Sequence, residues 1–193
     1  NTNYDFYCIK NEPNNGILTK IKCQDGTIEY ADLSKMEFIP NGMFNKIEKL
    51  IAKDGEEKVN ILHSYSAYEI RKPYMSKEQT DEFKHPCAYT IGAKNPNFWY
   101  SNTNEKGYFS IPKVIWGNGL SDVIIDIDGR YGLTQFVYAI ADEPQNLPLI
   151  QKALKSKRFI KDIMGYEKGV GHIYNRKIIA TFRKDFWKEF LND

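Results

Sequence analysis

The apolar positions of this chain change period several times, and each change predicts an element. Residues 17–22 and 27–31 alternate apolar and polar side chains on either side of Gln24-Asp25-Gly26. Alternation around an Asp-Gly pair predicts an opening β-hairpin, because that pair accepts the backbone angles of a tight turn. From Phe44 the interval lengthens. Phe44, Ile47, Leu50 and Ile51 recur at helical spacing, with Asn41 placed to cap the helix and Asp54-Gly55 to end it, so its apolar stripe should lie on a sheet. Residues 59–63 have the length of a short buried strand and lead into a polar loop, residues 64–75. Ser76 and Gln79 have capping-box spacing, which predicts a short helix over 76–83 stopped by His85-Pro86. Residues 87–91, 98–101, 113–116, 123–127 and 136–141 then read as strands of one substantial sheet.

Further on, Asn146 precedes the helical pattern Leu147, Ile150, Ala153 and Leu154, and Ser156 precedes Phe159, Ile160 and Ile163. These predict two capped helices with lysines on their outer sides. Residues 173–182 predict another strand, and 185–191 a closing helix with Phe186, Trp187 and Phe190 facing inward. The fold class is therefore α+β, a mixed β-sheet platform with several short helices. Residues 1–58 form an N-terminal hairpin plus helix that packs onto the rest, residues 59–193.

Composition narrows the functional classes. At 193 residues, 41% hydrophobic and 27% charged, the chain can bury a core and lacks the composition of a disordered one. No apolar run approaches the roughly 20 residues of a membrane span. Cys8, Cys23 and Cys87 form no CxxC pair and are odd in number, which fits a reducing cytoplasm rather than a disulfide framework. The first residue is Asn1 rather than Met, and we read the chain as a fragment of a longer protein. Charge is uneven: residues 151–193 hold 11 cations against 5 carboxylates, led by Lys152, Lys155, Lys157, Arg158 and Lys161. That density attracts a polyanion by counterion release, or faces water on a solvated helix.

Residues for chemistry are sparse. Asp126-Ile127-Asp128-Gly129 fails as a calcium loop, because its glycine comes too early and no glutamate follows at the required distance. Two aspartates ending a strand ahead of a turn is the plainer meaning. The alternative reading is a metal-dependent restriction nuclease using Asp122, Asp126 and Asp128, with Lys113 converging on them. Cys87 and His85 share a strand face but make an unremarked pair beside Pro86, and His63, His85 and His172 have no zinc spacing. Neither Gly117-Asn118-Gly119 nor Gly169-Val170-Gly171 is long enough for a phosphate cradle. No catalytic or metal residue is assigned.

Nucleic-acid binding gathers more support. It needs cations for phosphates and amide or guanidinium groups for base edges, delivered on loops. Arg71, Lys72 and Lys77 lie in and after the first polar loop, alongside Ser66 and Tyr68; Lys94, Asn95 and Asn97 lie in a second, Asn118 in a third and Arg130 in the Asp-Gly turn. Trp99 and Tyr100 could pack on sugar or base.

The order of several motifs adds a resemblance. Ile61-Leu62-His63-Ser64-Tyr65-Ser66-Ala67-Tyr68, Phe83-Lys84-His85-Pro86-Cys87, Pro96-Asn97-Phe98-Trp99-Tyr100-Ser101 and Ile111-Pro112-Lys113-Val114-Ile115-Trp116 are followed by Gly129-Arg130-Tyr131-Gly132-Leu133-Thr134-Gln135-Phe136, by Pro144-Gln145-Asn146-Leu147 and by residues 177–187. Over roughly residues 59–190 the chain resembles the C-terminal target-recognition region of adenine-specific DNA methyltransferases of type II restriction–modification systems, including fused methyltransferase-endonucleases. The resemblance implies a TaqI-like specificity fold that clamps double-stranded DNA and reads its sequence. It also implies a separate catalytic domain that binds S-adenosylmethionine and holds the flipped adenine in an Asn/Asp-Pro-Pro-Tyr/Phe tetrapeptide. Asn95-Pro96-Asn97-Phe98 imitates that tetrapeptide but has Asn97 where the second proline belongs, so no catalysis is carried onto it. On this reading Arg71 and Arg130 are guanine readers, Asn95, Asn97 and Asn118 adenine or phosphate contacts, and Lys72, Lys77, Lys94 and Lys113 phosphate contacts.

Overall fold

The run Val114-Ile115-Trp116 lacks alternation because its strand is covered on both faces, a position that tolerates no polar side. The computed structural model describes residues 16–23, 26–33, 44–92, 95–117, 122–161 and 174–192. Among the described residues, ten strands and four α-helices follow in order: β1 (Thr19–Lys22), β2 (Ile28–Ala31), α1 (Phe44–Glu48), β3 (Asn60–Leu62), β4 (Met75–Ser76), β5 (His85–Ile91), β6 (Pro96–Ser101), β7 (Lys113–Gly117), β8 (Val123–Asp126), β9 (Gly132–Leu133), β10 (Val137–Ala141), α2 (Leu147–Lys155), α3 (Lys157–Phe159) and α4 (Tyr174–Ile179). A 3-10 helix, Phe186–Phe190, closes the chain.

The architecture is α+β, with the strands in two four-stranded sheets and a separate hairpin rather than in one platform. The first sheet has the order β3-β10-β7-β8 and the second β4-β6-β5-β9. Side-chain parity explains how they stack. Val114, Trp116, Tyr138 and Ile140 point to one side of the first sheet, into a core with Ile47, Leu50, Leu147, Ile150, Phe159, Ile179, Phe182 and Phe186 from the helical segments. Leu62, Ile115, Val137 and Ala139 point to the other side, against Ala88, Ile91 and Leu133 of the second sheet. The result is three layers, helices on sheet on sheet. Each large apolar side chain closed between layers contributes about 1.5–3 kcal/mol. At Gly117 the sheets approach so closely that a Cβ would meet the Ile91 backbone at 3.2 Å; the glycine admits this chain's own neighbour.

Several expectations hold. The opening hairpin pairs Thr19↔Ala31 through Lys22↔Ile28. Ser156 caps α3 by accepting the Phe159 N–H at 3.0 Å, and Phe186, Trp187 and Phe190 are buried. Others are corrected. The helix α1 stops at Glu48, and Ile51 forms a β-bridge with Phe182 instead of continuing the helix; the expected cap Asn41 lies outside the described residues. Residues 76–83 form no helix. Positions 77–82 are all exposed, so a helix there would have no face to bury, and the Ser76 and Thr80 hydroxyls accept the Glu78 and Phe83 N–H groups in local turns instead.

Residues 174–179 are helical where a strand was expected. Ile178, Ile179 and Phe182 fall on one helical face and all three are buried. Asn146 gives no side-chain cap to α2; its amide donates to Asp142 at 2.8 Å. Ile160, expected to face inward, is 44% exposed. The segment from α1 to β3 is tied into the C-terminal core by Ala52 N–H to Thr181 O and Val59 N–H to Phe182 O, both 2.9 Å. Among the described residues no helix is long and apolar enough to cross a membrane.

Candidate nucleic-acid interface

Lys113 and Asp126 are register partners on β7 and β8, on the side of the first sheet that faces the second. Lys113 Nζ donates to Asp126 Oδ2 at 2.7 Å, to Tyr108 O at 3.0 Å and to Ile111 O at 3.1 Å. Asp126 in turn accepts the Arg130 N–H at 2.7 Å and the Tyr131 N–H at 2.9 Å. Both side chains are out of solvent, at 0% and 2% exposure. Burial pulls the Lys113 ammonium below its ordinary pKa, and the Asp126 carboxylate opposes that pull. All three ammonium hydrogens are thus used inside the protein, and the expected phosphate contact of Lys113 is corrected to a structural tie. It fastens the loop before β7 to the turn that presents Arg130.

Tyr68 is the second correction. It is fully buried; its hydroxyl donates to Thr103 O at 2.9 Å and accepts the Lys106 N–H at 3.2 Å. Burial pushes its pKa up to about 12. Its ring occupies the space that a Cβ on Gly107 would need, which is why glycine stands there with φ +67. Tyr68 anchors the polar loop instead of touching a ligand.

The remaining candidates divide by the geometry of the second sheet. Met75 of β4, Ser101 of β6 and His85 of β5 lie side by side, and β9 joins β5 in parallel at Gly132↔Cys87. The turn holding Arg71 and Lys72 enters β4 at this end, and the turn holding Arg130 enters β9 at the same end. Arg71 pairs with Glu69, and Arg130 with Asp128 at 2.7 Å, while the two guanidinium side chains stay 84% and 71% exposed. Such exposed pairs are worth about 0–1 kcal/mol, so either arginine can exchange its carboxylate for a base edge at little cost. Ser66 and Lys77 are also exposed. Asn95 and Asn97 sit at the opposite end, where β5 turns into β6, four residues up the strand or about 13 Å away. Asn97 donates to Thr90 Oγ1 at 3.0 Å. Lys94 and Asn118 lie outside the described residues.

Between these two ends the outer face of the second sheet holds a row of half-buried rings. Tyr89 lies 5.9 Å from Trp99 and 5.1 Å from Phe136, centre to centre, with Asn97 two positions along from Trp99. Tyr89 and Phe136 were not singled out in the sequence. The signal was present in the same-side parity of Cys87 and Tyr89 on β5, but only the pairing with β6 exposes it.

A second cluster sits where the first sheet meets α4. His63 meets Tyr65 edge to face at 4.4 Å and Tyr138 at a tilt at 4.7 Å, centre to centre, and Arg176 lies over both tyrosines and hydrogen-bonds the Tyr65 hydroxyl. His63 Nδ1 faces Val137 O at 3.2 Å; a carbonyl only accepts, so the proton belongs on Nδ1. Burial, helped by the Arg176 charge and opposed by the Val137 carbonyl, lowers the His63 pKa. Below about pH 6.5 the unfolded chain takes up a proton that the folded one refuses. Stability is therefore full above that pH and is lost as pH falls through the interval between the unfolded and folded values. Thermal midpoints recorded from pH 7.5 to 5.5 should decline for the wild type and flatten for His63→Gln; parallel curves would contradict this.

Among the described residues no three metal-ligating side chains gather into one group, and each carboxylate of the nuclease alternative has a partner of its own. Asp126 is consumed by Lys113 and two backbone amides, Asp128 pairs with Arg130, and Asp122 binds Lys155 at 2.8 Å, which lowers its pKa. Cys87 is buried and its thiol is pushed up to about 12 by burial, the opposite of what a nucleophile requires. Among known proteins, no family model matches the chain, and neither a curated protein nor a solved structure matches it.

Proposed function

We propose that this chain is the sequence-specific, DNA-binding target-recognition domain of an adenine-specific DNA methyltransferase of a type II restriction–modification system. It is non-catalytic by itself and has the TaqI-like specificity fold. The observation that supports this reading most is the pairing of two exposed, weakly held arginines at one end of the second sheet with the Asn95/Asn97 turn at the other, across a half-exposed aromatic row. Guanidinium groups suit guanine edges, amides suit adenine, and aromatic rings suit sugar or an unstacked base. Lys72 and Lys77 supply phosphate contacts that fix register. Methyl transfer belongs to a separate domain that binds S-adenosylmethionine, and such a system works in the cytoplasm.

The test is selectivity. Arg71→Ala and Arg130→Ala should each relax the preference at a single base pair, by about 1–3 kcal/mol of discrimination, while leaving the fold intact. Competition binding against a panel of duplexes with single-base-pair substitutions measures it. Equal selectivity in both variants and the wild type would overturn the assignment of these arginines.

A further inference from the structure

Residues 102–110 leave β6 between the turns that hold Arg71 and Arg130, and hydrogen bonds tie them to both sides. On the Arg71 side, Asn102 N–H donates to Tyr74 O at 3.2 Å, while the Tyr68 hydroxyl donates to Thr103 O and accepts the Lys106 N–H. On the Arg130 side, Leu133 N–H donates to Gly107 O at 2.9 Å and Ser110 N–H to Gly129 O at 2.8 Å. Midway, the Phe109 ring lies 5.6 Å from that of Tyr68 and 6.0 Å from that of His85, the first residue of β5. The segment therefore bridges the sheet end from one turn to the other. Its backbone is tightly constrained, since Tyr108 and Ser110 hold φ of 66 and 59, left-handed values that such residues keep only where their surroundings compel them. Its side chains at Asn104, Glu105 and Lys106, within the stretch closed by the Tyr68 hydroxyl, are exposed.

We propose that this bridge is a third reading element, in which Asn104 contacts an adenine edge and Lys106 a neighbouring phosphate; the inference rests on the DNA-reading assignment of the two arginines. Spacing carries it. In the second sheet β6 and β5 separate β4 from β9, and three inter-strand steps of about 4.8 Å put the two entry points about 14 Å apart. At roughly 3.4 Å of rise per base pair, the arginines then address pairs about four steps apart. The pairs between them face the segment that spans the gap. An amide placed there matches the paired donor and acceptor of an adenine edge. Glu105 sets the direction of this tip, because phosphates repel a carboxylate whereas the cytosine amino group donates to one. A held backbone with free polar side chains also spares the ordering cost of binding.

The test uses the full chain. Selection on randomised duplexes gives the preferred sequence, and fluorescence anisotropy on that duplex and its single-base-pair substitutions gives the discrimination at each position. Asn104→Ala should lose about 5- to 150-fold of discrimination, at a position between the two that Arg71→Ala and Arg130→Ala affect. Lys106→Gln should weaken binding to every duplex alike and lower the slope of log affinity against log salt by about 1; an unchanged slope overturns the phosphate contact. Unchanged discrimination in Asn104→Ala, with both arginine variants relaxed, overturns the third reading element and leaves the arginine assignment standing. A loss at a position outside the interval does the same. A wild-type chain with no base preference overturns both.

Discussion

Replacing Lys113 with Met should be among the most damaging single changes in this protein, costing about 3–5 kcal/mol of folding stability. The side chain is fully buried, its partner Asp126 is buried with it, and the methionine keeps the volume while removing the charge. What remains is a carboxylate in a dry interior, held by two backbone N–H groups and nothing cationic. Two carbonyls, of Tyr108 and Ile111, lose their donor at the same time. In a chain of this length the loss corresponds to a fall in thermal midpoint on the order of 10 °C. The double replacement Lys113→Met with Asp126→Asn should recover part of it, because no net charge is left buried and the amide oxygen still accepts from the turn. Urea unfolding of the three proteins measures this; equal midpoints for wild type and Lys113→Met would contradict the structural role.

Gly129→Ala is the second large effect, and it links stability to recognition. Gly129 has φ +66, and a Cβ there would lie 2.4 Å from Ile111 N and 2.5 Å from Ser110 C. Those atoms are backbone and cannot swing aside. The left-handed conformation and the forced displacement together should cost about 2–5 kcal/mol. The same movement pulls the turn away from the Ser110 N–H that Gly129 O accepts at 2.8 Å and shifts Arg130 from its place. Gly129→Ala should therefore lose selectivity at the Arg130 base pair even at temperatures where it stays folded. By contrast, Arg130→Ala should lose the selectivity without the stability. A variant as stable as the wild type would show that the loop and turn are not packed as described.

Local pattern made much of this fold legible. The strand positions of β5 to β8 and of β10, the Ser156 cap and the inward rings of the closing segment all follow from the order of apolar and polar side chains, because those features depend on near neighbours, whereas the two-residue β9 was not expected. The division into two sheets was not legible, since it depends on β10 pairing with both β3 and β7 across long stretches of chain. The segment holding Ile178 and Ile179 has a run of apolar residues that fits either period, and only its burial against Phe182 decides for a helix.

At the candidate interface the exposed residues Arg71, Asn95 and Arg130 could be named from loop and turn chemistry alone, and Lys77 and Asn97 from their charge and amide groups beside those loops. Lys113 and Tyr68 could not be placed correctly. A lysine opening a strand and a tyrosine in a polar loop look exposed until their distant partners, Asp126 and Thr103, are known.

The most direct test is selection of the wild-type chain on a library of randomised duplexes, with the recovered DNA sequenced. A short preferred sequence should emerge, and it should lose definition at different positions in Arg71→Ala and Arg130→Ala. Recovery of a pool as random as the starting library would contradict the claim that these turns read DNA.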